Sequence, residues 1–211
     1  ASYELQKKHG ININVMMPYE CRLESFTNWY KQLWSESLGK KGMGTTPIGA
    51  LGPMDQHSQL QLFLDGPNDK YFTVITTSSK GAGPTIDSML IDDEDYRFMA
   101  GATIGDLVNA ESNSTIEALG ERGKPVRHIK IREINERTLG ALAMHFILET
   151  IISAELFGVD PHDQPSVEYG KNLTKQYLSD LHNVKQTIHV PQALSSAKKS
   201  SNQTLSNSRR K

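Results

Sequence analysis

The stretch ININVMMPYECRLESFTNWYKQLWSES, residues 11–37, decides the fold class. Residues 11–17 alternate between apolar and polar side chains and end at Pro18, which is typical of a short strand that feeds a loop. Four large apolar residues then recur at helical spacing: Leu23, Phe26, Tyr30 and Leu33. This spacing predicts a helix from about 21 to 37. A strand followed by a helix is the repeating unit of an α/β protein.

The rest of the chain continues this alternation. Residues 71–77 (YFTVITT) are rich in β-branched and aromatic side chains and predict a buried strand, and residues 128–131 (HIKI) predict a short one. Helices are predicted over about 53–65, 103–122 and 136–157, and again after Pro165. The helix over 136–157 is apolar around most of its circumference, so we expect it in the core or against another subunit, with His145 a core or interface histidine. The class is therefore α/β with a mainly parallel sheet.

The composition excludes several classes of protein. The 211 residues contain 23 basic and 24 acidic side chains, a balance that argues against nucleic acid or a membrane surface as a partner of the whole chain. The one cysteine, Cys21, rules out a disulfide framework and fits a reducing compartment such as the cytoplasm. Since it enters an apolar-periodic segment, we expect a buried, inert thiol. No secretory signal and no membrane span are predicted.

The end of the chain has a different composition. From about residue 185 it is rich in serine, asparagine, glutamine and lysine and has few large apolar side chains. Such a segment buries too little apolar surface to offset the entropy lost on ordering. We therefore predict a domain at 1–184 and a disordered tail at 185–211.

Two segments suggest ligand sites but lack the necessary residues. The glycine-rich run GKKGMGTTPIGALG (39–52) does not have P-loop spacing, and Pro47 blocks the helix that such a loop requires, so a flexible active-site loop is the better interpretation. The acidic run DDEDY (92–96) lacks the glycine and glutamate of a calcium loop. It predicts a solvated loop or helix cap and no metal site.

Three ionisable side chains are candidates for chemistry: Glu36, His57 and Lys171. Taken singly, each is more typical of a surface side chain or a helix cap. Glu36, however, lies next to Trp34 near the C-terminal end of a predicted helix, where the helix dipole disfavours a negative charge, and a carboxylate placed there suits a general base. Gln32 lies one turn earlier on the same helix face.

Together, the sequences around these residues resemble the C-terminal half of the phosphoglucose isomerase (glucose-6-phosphate isomerase) family. The resemblance runs through QLWSESLGKKGMGTTP, DQHSQLQLF and DQPSVEYGKNLTK in that order and covers about residues 11–180. The motif D-Q-x-x-V-E-x-G-K, which ends at Lys171, is its most specific part, because several residue types coincide within nine positions. Ser166 departs from the pattern, since the family commonly has glycine there.

The resemblance implies a fold, a reaction and residue roles. The fold is a three-layer αβα sandwich, the sugar-isomerase (SIS) lobe. The reaction interconverts glucose 6-phosphate and fructose 6-phosphate through a cis-enediol(ate), with no cofactor and no metal. Glu36 matches the base that moves the proton, and His57 and Lys171 match the pair that opens the sugar ring. Gln32 and Gln164 match glutamines that contact the substrate.

The resemblance also implies partners. The family's enzymes have two SIS lobes, and the phosphate-binding loop and the arginine that stabilises the enediolate lie in the first, which would be upstream of this chain. Two subunits complete each site, with the histidine supplied by the partner, so a homodimer is implied. The alternative is a free-standing single-lobe module that binds sugar phosphates or a partner protein without turnover. Retention of Glu36, His57 and Lys171 together favours the isomerase, since a binding module needs no base.

Overall fold

The computed structural model describes residues 1–187, with side-chain surroundings as far as Leu181. The strands in this part of the chain are β1 (Ile13–Pro18), β2 (Thr46–Gly49), β3 (Lys70–Thr76) and β4 (Val126–Lys130). The helices are α1 (Ser2–His9), α2 (Glu24–Leu38), α3 (Gly52–Asp65), α4 (Ile104–Glu121), α5 (Glu136–Phe157) and α6 (Pro165–Thr187). Short 3-10 turns cover Cys21–Leu23, Ser88–Leu90 and Glu94–Met99.

The strands form one sheet in the order β2-β1-β3-β4, and every neighbouring pair is parallel. Ile13 of β1 pairs with Thr46 of β2 on one side and with Lys70 of β3 on the other. Parallel neighbours require crossover connections, and α2, α3 and α4 supply them. The predicted α/β class and parallel sheet are confirmed.

Two hydrophobic cores lie on opposite faces of the sheet. Met16 and Ile75 point toward α2 and α5, where they pack with Trp34 and Phe146. Alternate strand residues point the other way, and they pack with Phe63 of α3 and Leu119 of α4: Val15, Met17, Phe72 and Val74. Because side chains alternate along a strand, a sheet with apolar residues at successive positions must be covered on both faces. The result is the three-layer αβα arrangement.

Two expectations about local structure were wrong, and one element was missed. Part of the predicted flexible glycine-rich loop is strand β2, which is only four residues long and contains Pro47 and Gly49. Residue propensities did not predict it, because proline and glycine are unfavourable inside a sheet but are tolerated in an edge strand such as β2. The N-terminal helix α1 was not predicted. Cys21 is exposed, since it lies on the outer side of a 3-10 turn while Leu23 takes the buried position.

Helix α5 has two different sides. Six residues pack inward: Leu142, Phe146, Thr150, Ser153, Ala154 and Phe157. Apolar side chains on the opposite side are exposed, among them Met144, Leu148 and Ile152, so the helix is buried less completely than its sequence predicts. His145 is not a core residue, because its side chain is 52% exposed, although its ring packs edge-on against Phe146 at 5.0 Å. Among the described helices, α5 has the length and apolar composition to cross a membrane, and core helices of globular domains meet the same criterion.

The acidic run at 92–96 is exposed, and the Asp93 carboxylate accepts the Asp95 amide at 3.0 Å to cap the 3-10 turn Glu94–Met99. The predicted cap is confirmed. Further on, the chain divides into two units, and the second begins at Gln164. In the second unit α6 runs to Thr187, and the rest of the predicted tail lies outside the described residues.

We expect the core between the sheet and helices α2 and α5 to depend most on Phe146. It is fully buried, and its ring lies 5.8 Å from that of Phe26 and 5.0 Å from that of Tyr30. Phe146→Ala should lower the free energy of unfolding by about 3–5 kcal/mol, because it removes transfer energy and leaves a cavity. Urea denaturation followed by circular dichroism measures this. Phe98→Ala is the control, since Phe98 is 76% exposed and should change stability by less than about 1 kcal/mol.

Candidate active site

Gln32 and Glu36 form a hydrogen-bonded pair on α2. The Gln32 side-chain amide donates to the Glu36 carboxylate at 3.1 Å. Gln32 is exposed and Glu36 is half-buried, so the carboxylate is held by an amide and still reaches solvent. Residues four apart on a helix are neighbours on one face, which is why the predicted pair meets.

The turn of α2 that carries Glu36 is fixed by its buried neighbour. The Trp34 indole is fully buried, and its N–H donates to the Thr45 hydroxyl at 3.0 Å. Thr45 directly precedes β2, so this bond holds the C-terminal end of α2 next to the N-terminal ends of the strands. A buried indole N–H needs a partner, and the partner here sets the position of the helix end.

His57 lies in the second turn of α3. This helix begins just after β2 ends, next to the C-terminal ends of the strands. Pro53 suits the first turn of a helix, and the Asp55 carboxylate accepts the Leu51 amide at 2.6 Å. The His57 side chain is 74% exposed, and its Nε2 lies 4.0 Å from Glu111 Oε1 and 3.3 Å from the Gln56 side-chain nitrogen. The imidazole is thus presented to solvent with polar neighbours on one side.

Gln56 contacts His57, and the sequence alone did not reveal this contact. The Gln56 side-chain oxygen lies 2.8 Å from the Tyr19 hydroxyl and 3.3 Å from the Thr115 hydroxyl. Burial raises the pKa of Tyr19 to about 12, so its hydroxyl remains a donor across the neutral range. Since the Gln56 oxygen accepts from hydroxyls, its nitrogen faces His57 and donates to Nε2. The histidine is therefore oriented through a contact between distant segments.

The fold separates Glu36 from His57. Helix α2 packs in the core on one face of the sheet and α3 in the core on the other face. Glu36 is near the end of α2, beside the start of β2, whereas His57 follows the end of β2. The two side chains therefore lie near opposite ends of the strands and on opposite faces of the sheet. They do not meet within one chain.

Gln164 and Lys171 belong to the second unit. The Gln164 carbonyl accepts the amides of Val167 and Glu168, with Pro165 as the first residue of α6. Proline is favoured at a helix start because its fixed φ is already helical. The Lys171 ammonium lies 2.7 Å from the Glu168 carboxylate, one turn earlier. The predicted helix carrying the lysine is confirmed, while its role stays a prediction.

A charged cluster next to the core between the sheet and helix α5 was also not predicted. The Arg127 guanidinium donates to both carboxylate oxygens of Glu149 at 2.9 Å and to the Thr73 hydroxyl at 3.0 Å. The cation also lies over the rings of Tyr71 and Phe146, at 5.4 and 5.3 Å from their centroids. Such a paired, stacked arginine holds β4 against α5. In the part of the chain described, no group of three or more His, Cys, Asp or Glu side chains is arranged to hold a metal ion.

A parallel sheet between two helical layers defines a doubly wound α/β lobe. The model of the phosphoglucose isomerase family matches residues 3–199. The chain belongs to the phosphoglucose isomerase family.

Relatives of known sequence agree. The glucose-6-phosphate isomerase of Rubrobacter xylanophilus is 40% identical over 170 residues, which are 81% of this chain and 39% of that protein. The probable glucose-6-phosphate isomerase of Halobacterium salinarum is 38% identical over 177 residues, 84% of this chain and 41% of that protein. The chain thus spans about two fifths of the length of these curated relatives.

Solved structures show the same fold. A crystal structure of a hypothetical protein from Thermus thermophilus is 35% identical, with a TM-score of 0.75 over 84% of this chain and 44% of that one. The glucose-6-phosphate isomerase of Chlamydia trachomatis, at 19% identity, shares the fold with a TM-score of 0.62 over 92% of this chain and 39% of its own.

Proposed function

We propose that this chain is the C-terminal lobe of an aldose–ketose isomerase that interconverts glucose 6-phosphate and fructose 6-phosphate in the cytoplasm. The observation that carries the proposal is the Gln32–Glu36 pair, in a chain of the phosphoglucose isomerase family. A half-buried carboxylate held by a side-chain amide is preorganised to exchange a proton with a bound sugar. The relatives named as glucose-6-phosphate isomerases support the substrate.

The proposed chemistry has two stages. His57 and Lys171 first open the sugar ring by protonating the ring oxygen and taking the proton of the neighbouring hydroxyl. The Glu36 carboxylate then removes the proton from carbon 2 of the open aldose, giving an enediolate. The proton of the carbon-2 hydroxyl passes to oxygen 1, and the Glu36 carboxylic acid returns its proton to carbon 1, which leaves the carbonyl at carbon 2. Gln32 and Gln164 contact the substrate hydroxyls. No step requires a metal or a cofactor, because the proton only moves between neighbouring carbons.

The proposed assembly is a homodimer in which a second copy supplies the histidine. Glu36 and His57 lie on opposite faces of the sheet and near opposite ends of its strands. This separation supports a dimer, because one chain cannot place both side chains against one sugar. The exposure of the His57 side chain, at 74%, leaves it accessible to another subunit. The proposal also includes an upstream lobe with the phosphate site, because the chain spans about two fifths of its relatives.

The direct test is a coupled assay on fructose 6-phosphate with a protein that joins residues 1–211 to a first lobe. Glucose 6-phosphate dehydrogenase and NADP report the product as absorbance at a fixed wavelength. We expect steady turnover without added metal. Binding of fructose 6-phosphate without any turnover would instead support the single-lobe binding module.

Mixed dimers test the shared site. Glu36→Gln and His57→Ala homodimers should each be nearly inactive. In a heterodimer of the two variants, one site combines the intact Glu36 of one subunit with the intact His57 of the other, so about half of the wild-type activity should return. The two variant subunits carry different tags and are co-expressed, and the heterodimer is purified over both tags. Its isomerase activity is then compared with that of the wild-type dimer. If both residues serve the same site within one chain, the heterodimer will stay as inactive as its parents.

A further inference from the structure

The loop after α2 is attached to the segment after α5 by two lysines. The Lys40 ammonium donates to the Asp160 carbonyl oxygen and lies 2.8 Å from the Asp163 carboxylate. The Lys41 ammonium lies 3.4 Å from the Gly158 carbonyl oxygen. The Lys40 side chain is only 10% exposed, so this ammonium has exchanged most of its water for oxygens of the 158–163 segment.

The backbone of the loop is shaped to allow both contacts. Lys41 has a φ of +53°, a left-handed conformation that side-chain-bearing residues rarely adopt. The Met43 amide donates to the Lys40 carbonyl at 2.8 Å and closes the turn, and Gly42 follows with a φ of +71°. An unfavourable backbone conformation at a lysine persists where surrounding contacts require it.

The two ends of the Lys40 contact are close in sequence to the candidate catalytic residues. Lys40 follows Glu36 by four residues, and Asp163 directly precedes Gln164 at the start of the segment that carries Lys171. We propose that Lys40 is a positioning residue for Glu36: by holding the segment after α5, it fixes the end of the helix that carries the base. This inference rests on the proposed function for the role of Glu36.

Removal of the anchor should affect catalysis more than folding. Asp163 is 57% exposed and can be hydrated when its partner is lost, so the substitution leaves no buried, unpaired charge. Catalysis is more sensitive, because a displacement of about 1 Å between reacting groups can cost about 100-fold in rate. We therefore expect Lys40→Met to lower kcat by about 10- to 100-fold with a change in KM below about threefold.

The kinetic experiment uses an active protein that contains residues 1–211. Lys40→Arg, which keeps the cation, should recover much of kcat. Asp163→Ala should lower kcat by no more than Lys40→Met does, because Lys40 keeps its contact with the Asp160 carbonyl, and the double variant should be no worse than Lys40→Met, which already lacks both contacts. Lys8→Met is the matched control, since Lys8 forms an exposed pair with Glu4, and it should retain full activity. A kcat within twofold of wild type for Lys40→Met, or additive losses in the double variant, would overturn the proposal.

Hydrogen exchange measures the anchor without reference to activity. In Lys40→Met, amides in residues 159–164 should exchange at least about tenfold faster, while those of β1 keep their protection. Faster exchange together with a lower kcat supports the proposal, and unchanged exchange overturns it. If the wild-type protein lacks isomerase activity, the proposed function fails and the positioning role fails with it. If the wild type is active and Lys40→Met is equally active, only the positioning role fails.

Discussion

Glu36→Gln is expected to reduce isomerisation by about 100- to 10,000-fold while substrate binding is retained. The variant amide has the same shape and can still lie beside Gln32, but it has no basic oxygen that accepts a proton from carbon 2. The interaction lost is one made during proton transfer, so the decrease should appear in kcat, with KM little changed. Steady-state rates in both directions and calorimetric binding of a non-reacting sugar phosphate measure the two quantities.

The control is Glu117→Gln, the same change at an exposed position of α4. It should keep full activity and thereby show that loss of a negative charge is not sufficient. A decrease in turnover below about tenfold for Glu36→Gln would show that Glu36 is not the base. The Gln32–Glu36 hydrogen bond would then be a helix-surface contact worth a few tenths of a kcal/mol.

The second large effect concerns residues 1–211 alone, which we expect to have no appreciable isomerase activity even when folded. By resemblance to the family, the phosphate-binding loop and the arginine that stabilises the enediolate lie in a first lobe. Without a phosphate anchor, binding energy from the remote end of the sugar cannot orient the reacting carbons at Glu36. Without the cation, the enediolate loses electrostatic stabilisation, worth about 3–4 kcal/mol for one preorganised donor.

These two losses together should lower turnover by several orders of magnitude. The measurement is the coupled assay with the purified chain alone, and then with a separately purified first lobe from the Rubrobacter xylanophilus relative added. Recovery upon addition would locate the missing groups in that lobe. Near-normal turnover by the chain alone would mean that one lobe is self-sufficient, and the proposal of a two-lobe enzyme would be wrong.

Periodicity found most of the fold because most elements are buried on a regular face. The helix predicted at 53–65 is α3 (Gly52–Asp65), and the helix predicted at 136–157 has the bounds of α5. Edge strand β2 was missed, since its four residues contain proline and glycine and owe their conformation to pairing with β1. Cys21 was assigned to the wrong side because a 3-10 turn of three residues shifts the helical phase before α2 begins.

For candidate residues on the same helix, the spacing in the sequence alone determined which side chains share a surface. Gln32 and Glu36 meet because a helix brings residues four apart together, and this requires no knowledge of the rest of the chain. The order of strands and helices determined the parallel sheet in the same way, since consecutive parallel strands need helical crossovers.

Only the tertiary structure decided contacts between segments that are far apart in sequence. The orientation of His57 by Gln56, Tyr19 and Thr115, the placement of Glu36 and His57 on opposite faces, and the anchor of Lys40 at Asp163 all depend on how helices pack on the sheet. Hydrophobic periodicity specifies which face of an element is buried, but not the polar partner that its edge residues meet. Those partners are chosen when the elements pack, because buried donors and charges must then be satisfied by the groups that are within reach.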